Sequence, residues 1–188
     1  GTLVSETAKL EVTYTKGHNG LCAHVAKVFE GTLHEGDVVT ASIDAHRREL
    51  IRRNHTATHL LDAALKSVLG EHVNQAGSLV DDGRLRFDFT HFEALTAEQL
   101  HEVEDLVNVE IFSAKPVVTK VCDIEEAKAA GAVALFGEKY GDVVRMVSCG
   151  TEDVPFSREL CGGTHARNTS ELGLFKIVSE SSTGSNVR

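Results

Sequence analysis

The sequence predicts an α+β fold: a mixed or antiparallel sheet with packed helices, preceded by a small, truncated β-barrel subdomain. Three observations carry this expectation. Apolar and polar residues alternate along residues 9–45, between turns marked by glycine. One long segment, residues 46–69, then keeps its apolar residues at helical spacing. After it, strand-like and helix-like segments follow one another without the regular βαβ alternation of a parallel sheet. The division is drawn at residues 1–45 for the partial barrel and 46–188 for the main domain.

In the first part, Leu10, Val12 and Tyr14 alternate with Glu11 and Thr13. The turn Lys16-Gly-His-Asn-Gly20 leads into a second strand, Leu21 to Phe29, and Gly31 and Gly36 punctuate the return to a third, Val38 to Ile43. Three strands alone are marginal, so the barrel reads as incomplete. Asp44 is placed to cap the long helix and Gly70 to end it. Leu50, Ala57, Leu61, Ala64, Leu65 and Val68 form its apolar stripe; His55 and His59 fall off that stripe and face either solvent or a second surface. Residues 73–80 and 85–89 pair across Asp81-Asp-Gly83. Thr96-Ala-Glu-Gln99 is a capping box opening a helix that carries Leu100, Val103, Leu106, Val107 and Ile111. A strand from Pro116 to Val121, a short helix capped by Asp123, and strands at 143–147 and 173–178 complete the pattern, with Cys161 in the loop between the last two.

The chain has 188 residues, a formal net charge of -9 and 41% hydrophobic residues, enough for one ordinary domain with an appendage. The acidic balance argues against a whole-surface nucleic-acid binder. A local basic patch at Arg47, Arg48, Arg52 and Arg53 is compatible with it; a solvated helix face is the plainer reading of those arginines. No apolar run reaches membrane-spanning length and no leader is visible, so no membrane partner is expected. The four cysteines, Cys22, Cys122, Cys149 and Cys161, are too scattered for a disulfide framework. A cytoplasmic chain with reduced thiols is expected, three of them plain buried cysteines. The abrupt ends read as those of an excised fragment.

Two clusters carry the chemistry: His55-Thr-Ala-Thr-His59, and some hundred residues later Cys161-Gly-Gly-Thr-His165. Histidines at i and i+4 lie one above the other on a helix. The second cluster sets two glycines between its donors, where the backbone must turn tightly. Three imidazoles and one thiolate are the number and kind of donors a tetrahedral Zn2+ takes. A buried Cys161 beside a solvated His165 is the plain alternative, and Cys149 is a weaker competing ligand. The glutamate that follows the first histidine in thermolysin-like peptidases is Thr56 here, which argues against that class. Four protein donors favour a closed, structural site, whereas catalytic zinc keeps an open position.

Arg52-Arg-Asn-His-Thr-Ala-Thr-His-Leu-Leu61, Asn74-Gln-Ala-Gly-Ser78, Phe87-Asp-Phe-Thr-His91, Leu135-Phe-Gly-Glu-Lys-Tyr-Gly-Asp142 and Glu159-Leu-Cys-Gly-Gly-Thr-His165 resemble, in this order, the editing domain of bacterial-type alanyl-tRNA synthetase. The resemblance covers nearly the whole chain. It implies a zinc-dependent deacylase that removes serine or glycine from mischarged tRNA(Ala), a hydrolase of protein biosynthesis. Its partners would be the tRNA acceptor end and the rest of the synthetase. It implies His55, His59, Cys161 and His165 as zinc ligands, Gln75 as a polar pocket residue and Thr58 as a small residue beside the amino-acid pocket. Residues 137–141 would help shape the surroundings. The glycine-rich segment ahead of the first strands and the aminoacylation motifs are absent, so editing without charging is expected.

The chemistry suits the implied role. A missing methylene is worth only about 1–3 kcal/mol in a binding pocket, and an added hydroxyl is rejected comparably weakly. A second, hydrolytic site then supplies fidelity against glycine and serine. An aminoacyl ester is already activated, so a polarised water and a donor for the developing oxyanion suffice, without a covalent intermediate. Cys161 as nucleophile ranks below this, because a metal-bound thiolate is occupied. A zinc-stabilised module that only holds the tRNA acceptor end, a free-standing editing factor, and the related threonyl-tRNA synthetase editing domain are the alternatives; the last has a different Cys-to-His loop.

Overall fold

The structure, a computed structural model, describes residues 1–18, 21–134, 140–151, 153–182, 184 and 186–188. It is α+β with antiparallel sheets and three α-helices among the described residues, as the sequence predicts. The chain separates into two compact units, Gly1–Arg48 and Glu49–Arg188.

The first unit is a four-stranded antiparallel sheet of β1 (Thr2–Val4), β2 (Ala8–His18), β3 (Leu21–Gly31) and β4 (Thr40–Ser42), ordered β3-β2-β1-β4. Strand β1 was not visible in the sequence, being three residues long without alternation. The predicted turn at Lys16–Gly20 runs into residues 19 and 20, outside the described residues. Gly31, at φ +74, is pressed against Thr7: a Cβ there would overlap the Thr7 carbonyl oxygen. Among the unit's described apolar residues only Ala8 and Leu10 are buried, while Leu21, Phe29 and Val38 are exposed. Cys22, expected to be buried, is exposed on this sheet, because the sheet carries no apolar layer over β3.

The second unit is organised by α1 (Ala45–Leu69). The Asp44 carboxylate accepts a hydrogen bond from the Arg47 amide, and Gly70 ends the helix at φ +108. Leu61, Ala64 and Leu65 enter the main core with Leu60, against the hairpin β5 (Gln75–Val80) and β6 (Leu85–Phe89) and against α2 (Ala97–Phe112). The hairpin turn is an Asx turn: the Asp81 carboxylate accepts from the amides of Gly83 and Arg84. Asn54 on α1 donates to the Asp81 carbonyl, locking helix to hairpin. The capping box of α2 forms as expected, Thr96 and Gln99 bonding reciprocally.

A three-stranded antiparallel sheet, β7 (Val117–Asp123), β8 (Val143–Gly150) and β9 (Pro155–Leu160), ordered β7-β8-β9, supplies the wall that meets α1. Val117, Cys149 and Phe156 pack into the main core; Cys122, Val144, Met146 and Leu160 form a second core with Ala127 of α3 (Ile124–Ala129). Asp123 sits at the N-cap of α3 as predicted, but its side chain makes no capping bond.

Two departures from the sequence reading matter. Residues 155–160, read as part of a loop, form β9. Their alternation is hidden because polar Ser157 and largely buried Glu159 occupy inward positions. Residues 173–178, read as a strand, form none and pair with no strand among the described residues. The alternation was real, with Phe175 and Ile177 packed on the core. Their backbone groups are satisfied by α2 side chains instead: Asn108 donates to the Phe175 carbonyl and accepts from its amide, and Glu104 accepts from the Ile177 amide.

Candidate metal centre

Helix α1 delivers His55 and His59, one turn apart, to the side facing β9 and the loop that follows it. That loop delivers Cys161 and His165. One ligand atom from each of the four lies within 4.8 Å of all the others. The Cys161 Sγ is 3.4 Å from Nε2 of both His55 and His165. Tetrahedral zinc with ordinary Zn–N and Zn–S bonds sets such edges at about 3.5 Å. The ring centroids of the three imidazoles are 4.2–5.3 Å apart. In number, softness and spacing the donors suit a metal ion, zinc included.

Two of the three outer nitrogens are occupied in a way that frees the inner ones. His55 Nδ1 lies 3.2 Å from the Thr164 carbonyl, to which it donates. His165 Nδ1 lies 3.1 Å from Thr56 Oγ1, and Thr56 in turn accepts from the Ala166 amide at 3.0 Å. His59 Nδ1 faces Glu159 Oε2 at 3.5 Å, too long for a good hydrogen bond, and it is counted among the buried polar atoms without one. Burial drives the His59 pKa down to about 3, with His55 adding to the fall. It drives His165 to about 2, helped by His59, His55, Arg145 and Arg52. His55 is lowered by burial despite its bond to Thr164. All three rings are therefore neutral at physiological pH, the form that coordinates metal.

The loop is held by backbone and arginine contacts. The Gly163 amide points at Cys161 Sγ at 3.4 Å, a donor suited to a thiolate. Arg145 on β8 donates to the carbonyls of Cys161 (2.9 Å) and Gly163, and Arg52 on α1 donates to that of His165. Arg52 thus belongs to the site rather than to a solvated arginine face. Gly163 is required by close approach: a Cβ would fall 2.0 Å from His55 Cε1, whereas one on Gly162 meets nothing. Neither has positive φ, so no left-handed backbone demands a glycine at either position.

The structure brings together all four residues singled out as ligands. Cys149, the weaker competitor, is outside the cluster: it is buried in the main core, and burial, with Glu159 and Glu110 nearby, pushes its thiol up to about 12. Thr58 is buried on α1 and spends its hydroxyl proton on the Asn54 carbonyl. Gln75 is half-buried at the start of β5, opposite Phe89. Of the segment 135–142, residues 135–139 lie outside the described residues. Thr56, Arg145 and Glu159 were not assigned roles from sequence. Thr56 stood out only as the residue in place of a peptidase glutamate, and Glu159 only as the first letter of a motif.

Fold and site together define an α+β protein with a His3Cys cluster closed between a helix and a remote loop. Comparison with known proteins narrows this. Residues 144–188 match the family described as the threonyl and alanyl tRNA synthetase second additional domain. The chain is 51% identical over 188 residues to the alanine–tRNA ligase of Legionella pneumophila (strain Corby), covering 100% of this chain and 21% of that protein. It is 56% identical over 183 residues to that of Staphylococcus aureus (strain bovine RF122 / ET3-1), covering 97% of this chain and 20% of the relative. The chain thus spans about a fifth of the length of these curated relatives. The resemblance to the editing domain of alanyl-tRNA synthetase is borne out. No helix among the described residues is long and apolar enough to cross a membrane.

Proposed function

We propose that this chain is the hydrolytic editing module of an alanyl-tRNA synthetase, a deacylase that acts on Ser-tRNA(Ala) and Gly-tRNA(Ala) in the cytoplasm. In this reading residues 46–188 form the deacylase domain and residues 1–45 a partial barrel. The observation that carries it is the convergence of His55, His59, Cys161 and His165 in a chain whose full length matches alanine–tRNA ligases.

These four residues would hold Zn2+, through Nε2 of His55 and His165 and Sγ of Cys161, with His59 as the fourth donor. When bound, the ion supplies Lewis-acid polarisation of an oxygen at the substrate. The chain's own residues do the rest. Thr58, whose proton is committed to Asn54, meets a substrate as an acceptor, suited to the serine hydroxyl or the α-ammonium group. Gln75 offers both a donor and an acceptor. Discrimination by polar contact is the route open to such a site, because alanine lacks the hydroxyl that serine presents. The acceptor end of tRNA(Ala) and the rest of the synthetase chain are the partners of this reading.

A second reading has a specific observation behind it. Four protein donors fill a tetrahedral ion and leave no open position, as in a module that uses zinc only to hold its shape while it binds the acceptor end. Deacylation of Ser-tRNA(Ala) separates the two. The editing reading requires the intact protein to release serine faster than folded His59→Ala or Cys161→Ala variants; equal rates favour the binding module.

A further inference from the structure

The geometry points to Glu159 as the positioning residue for His59: its Oε2 accepts a hydrogen bond from the Nδ1–H and so aims Nε2 at the metal. This rests on the zinc reading above, and it adds a residue outside the ligand set. His59 is 4% exposed and sits on α1 with its Nδ1 turned away from Cys161 and toward β9. There it meets Glu159 Oε2 at 3.5 Å, in a setting where both side chains are largely buried. Among the described residues no other hydrogen-bond acceptor serves that nitrogen. A buried N–H without an acceptor is costly, so a short closing movement between the two groups is favourable.

Glu159 is itself fixed. Its other oxygen, Oε1, accepts from Ser157 Oγ at 2.8 Å, two residues back on β9. Asp62, about one helical turn beyond His59, and Lys66, bonded to it at 2.5 Å, also face Glu159: burial and Asp62 push the Glu159 carboxyl up to about 8, against Ser157 and Lys66, and Oε2 keeps acceptor capacity whether or not the group is ionised. The other two histidines already have outer partners of a different kind, the Thr164 carbonyl for His55 and the Thr56 hydroxyl for His165. Glu159 completes the set and is its only carboxyl group. Partners of this kind orient a ligating imidazole and raise its basicity, and their loss typically weakens metal binding about 10–100-fold.

The test compares zinc affinity of the wild type, Glu159→Gln and Glu159→Leu by competition with a chromophoric chelator, with folding checked by circular dichroism. Gln retains an acceptor oxygen and should bind within a few-fold of wild type. Leu has none and should bind about 10–100-fold more weakly. A folded Leu variant with wild-type affinity overturns the inference. Should that variant fail to fold, imidazole nitrogen NMR of the zinc-loaded wild type decides: the inference requires His59 protonated at Nδ1 and metal-bound at Nε2, and the reverse pattern overturns it. A wild type that takes up no zinc sinks the metal reading itself, and this inference with it.

Discussion

Gly163 lies flat against the imidazole of His55: a Cβ on it would fall 2.0 Å from Cε1 and 2.5 Å from Nδ1 of that ring. The neighbouring Gly162 has open space where its Cβ would be. Gly163→Ala must therefore displace either the loop or a metal donor. We expect it to lose zinc and to lower stability by about 1–3 kcal/mol, the usual cost of forcing atoms into a packed site. Gly162→Ala should keep both zinc content and melting temperature near wild type. Metal analysis of the two purified variants checks the contrast, and equal zinc in both would contradict it.

Glu104 ties the segment after Gly173 to α2. Lys176, followed by the Ile177 amide, holds its carboxyl below the ordinary value of 4.5, against the opposing effect of burial. A carboxyl depressed in the folded state contributes stability above its ordinary value and loses it as pH falls through the lower folded value. Acidification below 4.5 should therefore release Ile177 first, while the Phe175 amide stays protected by Asn108, which does not titrate. Amide exchange protection at the two residues reads this directly. Glu104→Gln should remove the pH dependence at a cost under about 1 kcal/mol, because Lys176 is exposed and its ion pair weak. Glu104→Ala leaves the Ile177 amide without its acceptor and should cost about 1–3 kcal/mol.

The four cysteines should react in a fixed order with an alkylating reagent. Cys22 is exposed and should react first. Cys161 is half-buried, and if it holds zinc as proposed it should be protected until a chelator removes the ion. Cys122 and Cys149 are buried, and Cys149 remains a thiol far above neutral pH, so both should react only on unfolding. Mass spectrometry of the peptides, with and without chelator, reads the order. Alkylation of Cys161 at the same rate with and without chelator would count against the metal centre.

Much of this site was legible because its signals are local. A histidine pair four apart on a helix and a Cys-to-His loop spaced by glycines can each be read within five residues. What closes the site is not local. Thr56 reaches His165 across 109 positions of sequence, and nothing about a helical threonine announces that contact. Arg145 looks like any polar residue of a sheet until the Cys161 loop folds over it. Glu159 interrupts the apolar alternation that would have revealed β9, because its inward position faces His59 rather than the core. The segment 173–178 failed in the opposite way. Its alternation was read correctly as burial, but burial does not say whether a strand or the side chains of a helix will take up the backbone groups.

Arg145 is the clearest test of whether that long-range closure matters. Its guanidinium stands beside imidazoles whose pKa values it helps to lower, so a positive charge is kept next to a site for a cation. Electrostatics alone would disfavour this, and the compensation must be geometric. One nitrogen of the fork binds the carbonyls of Cys161 and Gly163, while the Arg145 carbonyl accepts from the Cys161 amide at 3.0 Å. The residue thus grips the loop from both its side chain and its backbone. Arg145→Met keeps the backbone grip and the apolar stem, removes the charge, and leaves two carbonyls without their donor. If charge dominated, Met would bind zinc more tightly than wild type. If the grip dominates, as we expect, Met should bind more weakly by about tenfold, the lower end of what losing an outer-shell partner costs. Arg145→Lys should recover part of the loss, because both carbonyl contacts come from one nitrogen and a single ammonium also offers several donors at one point. Zinc titration of the three proteins under identical conditions decides between these outcomes.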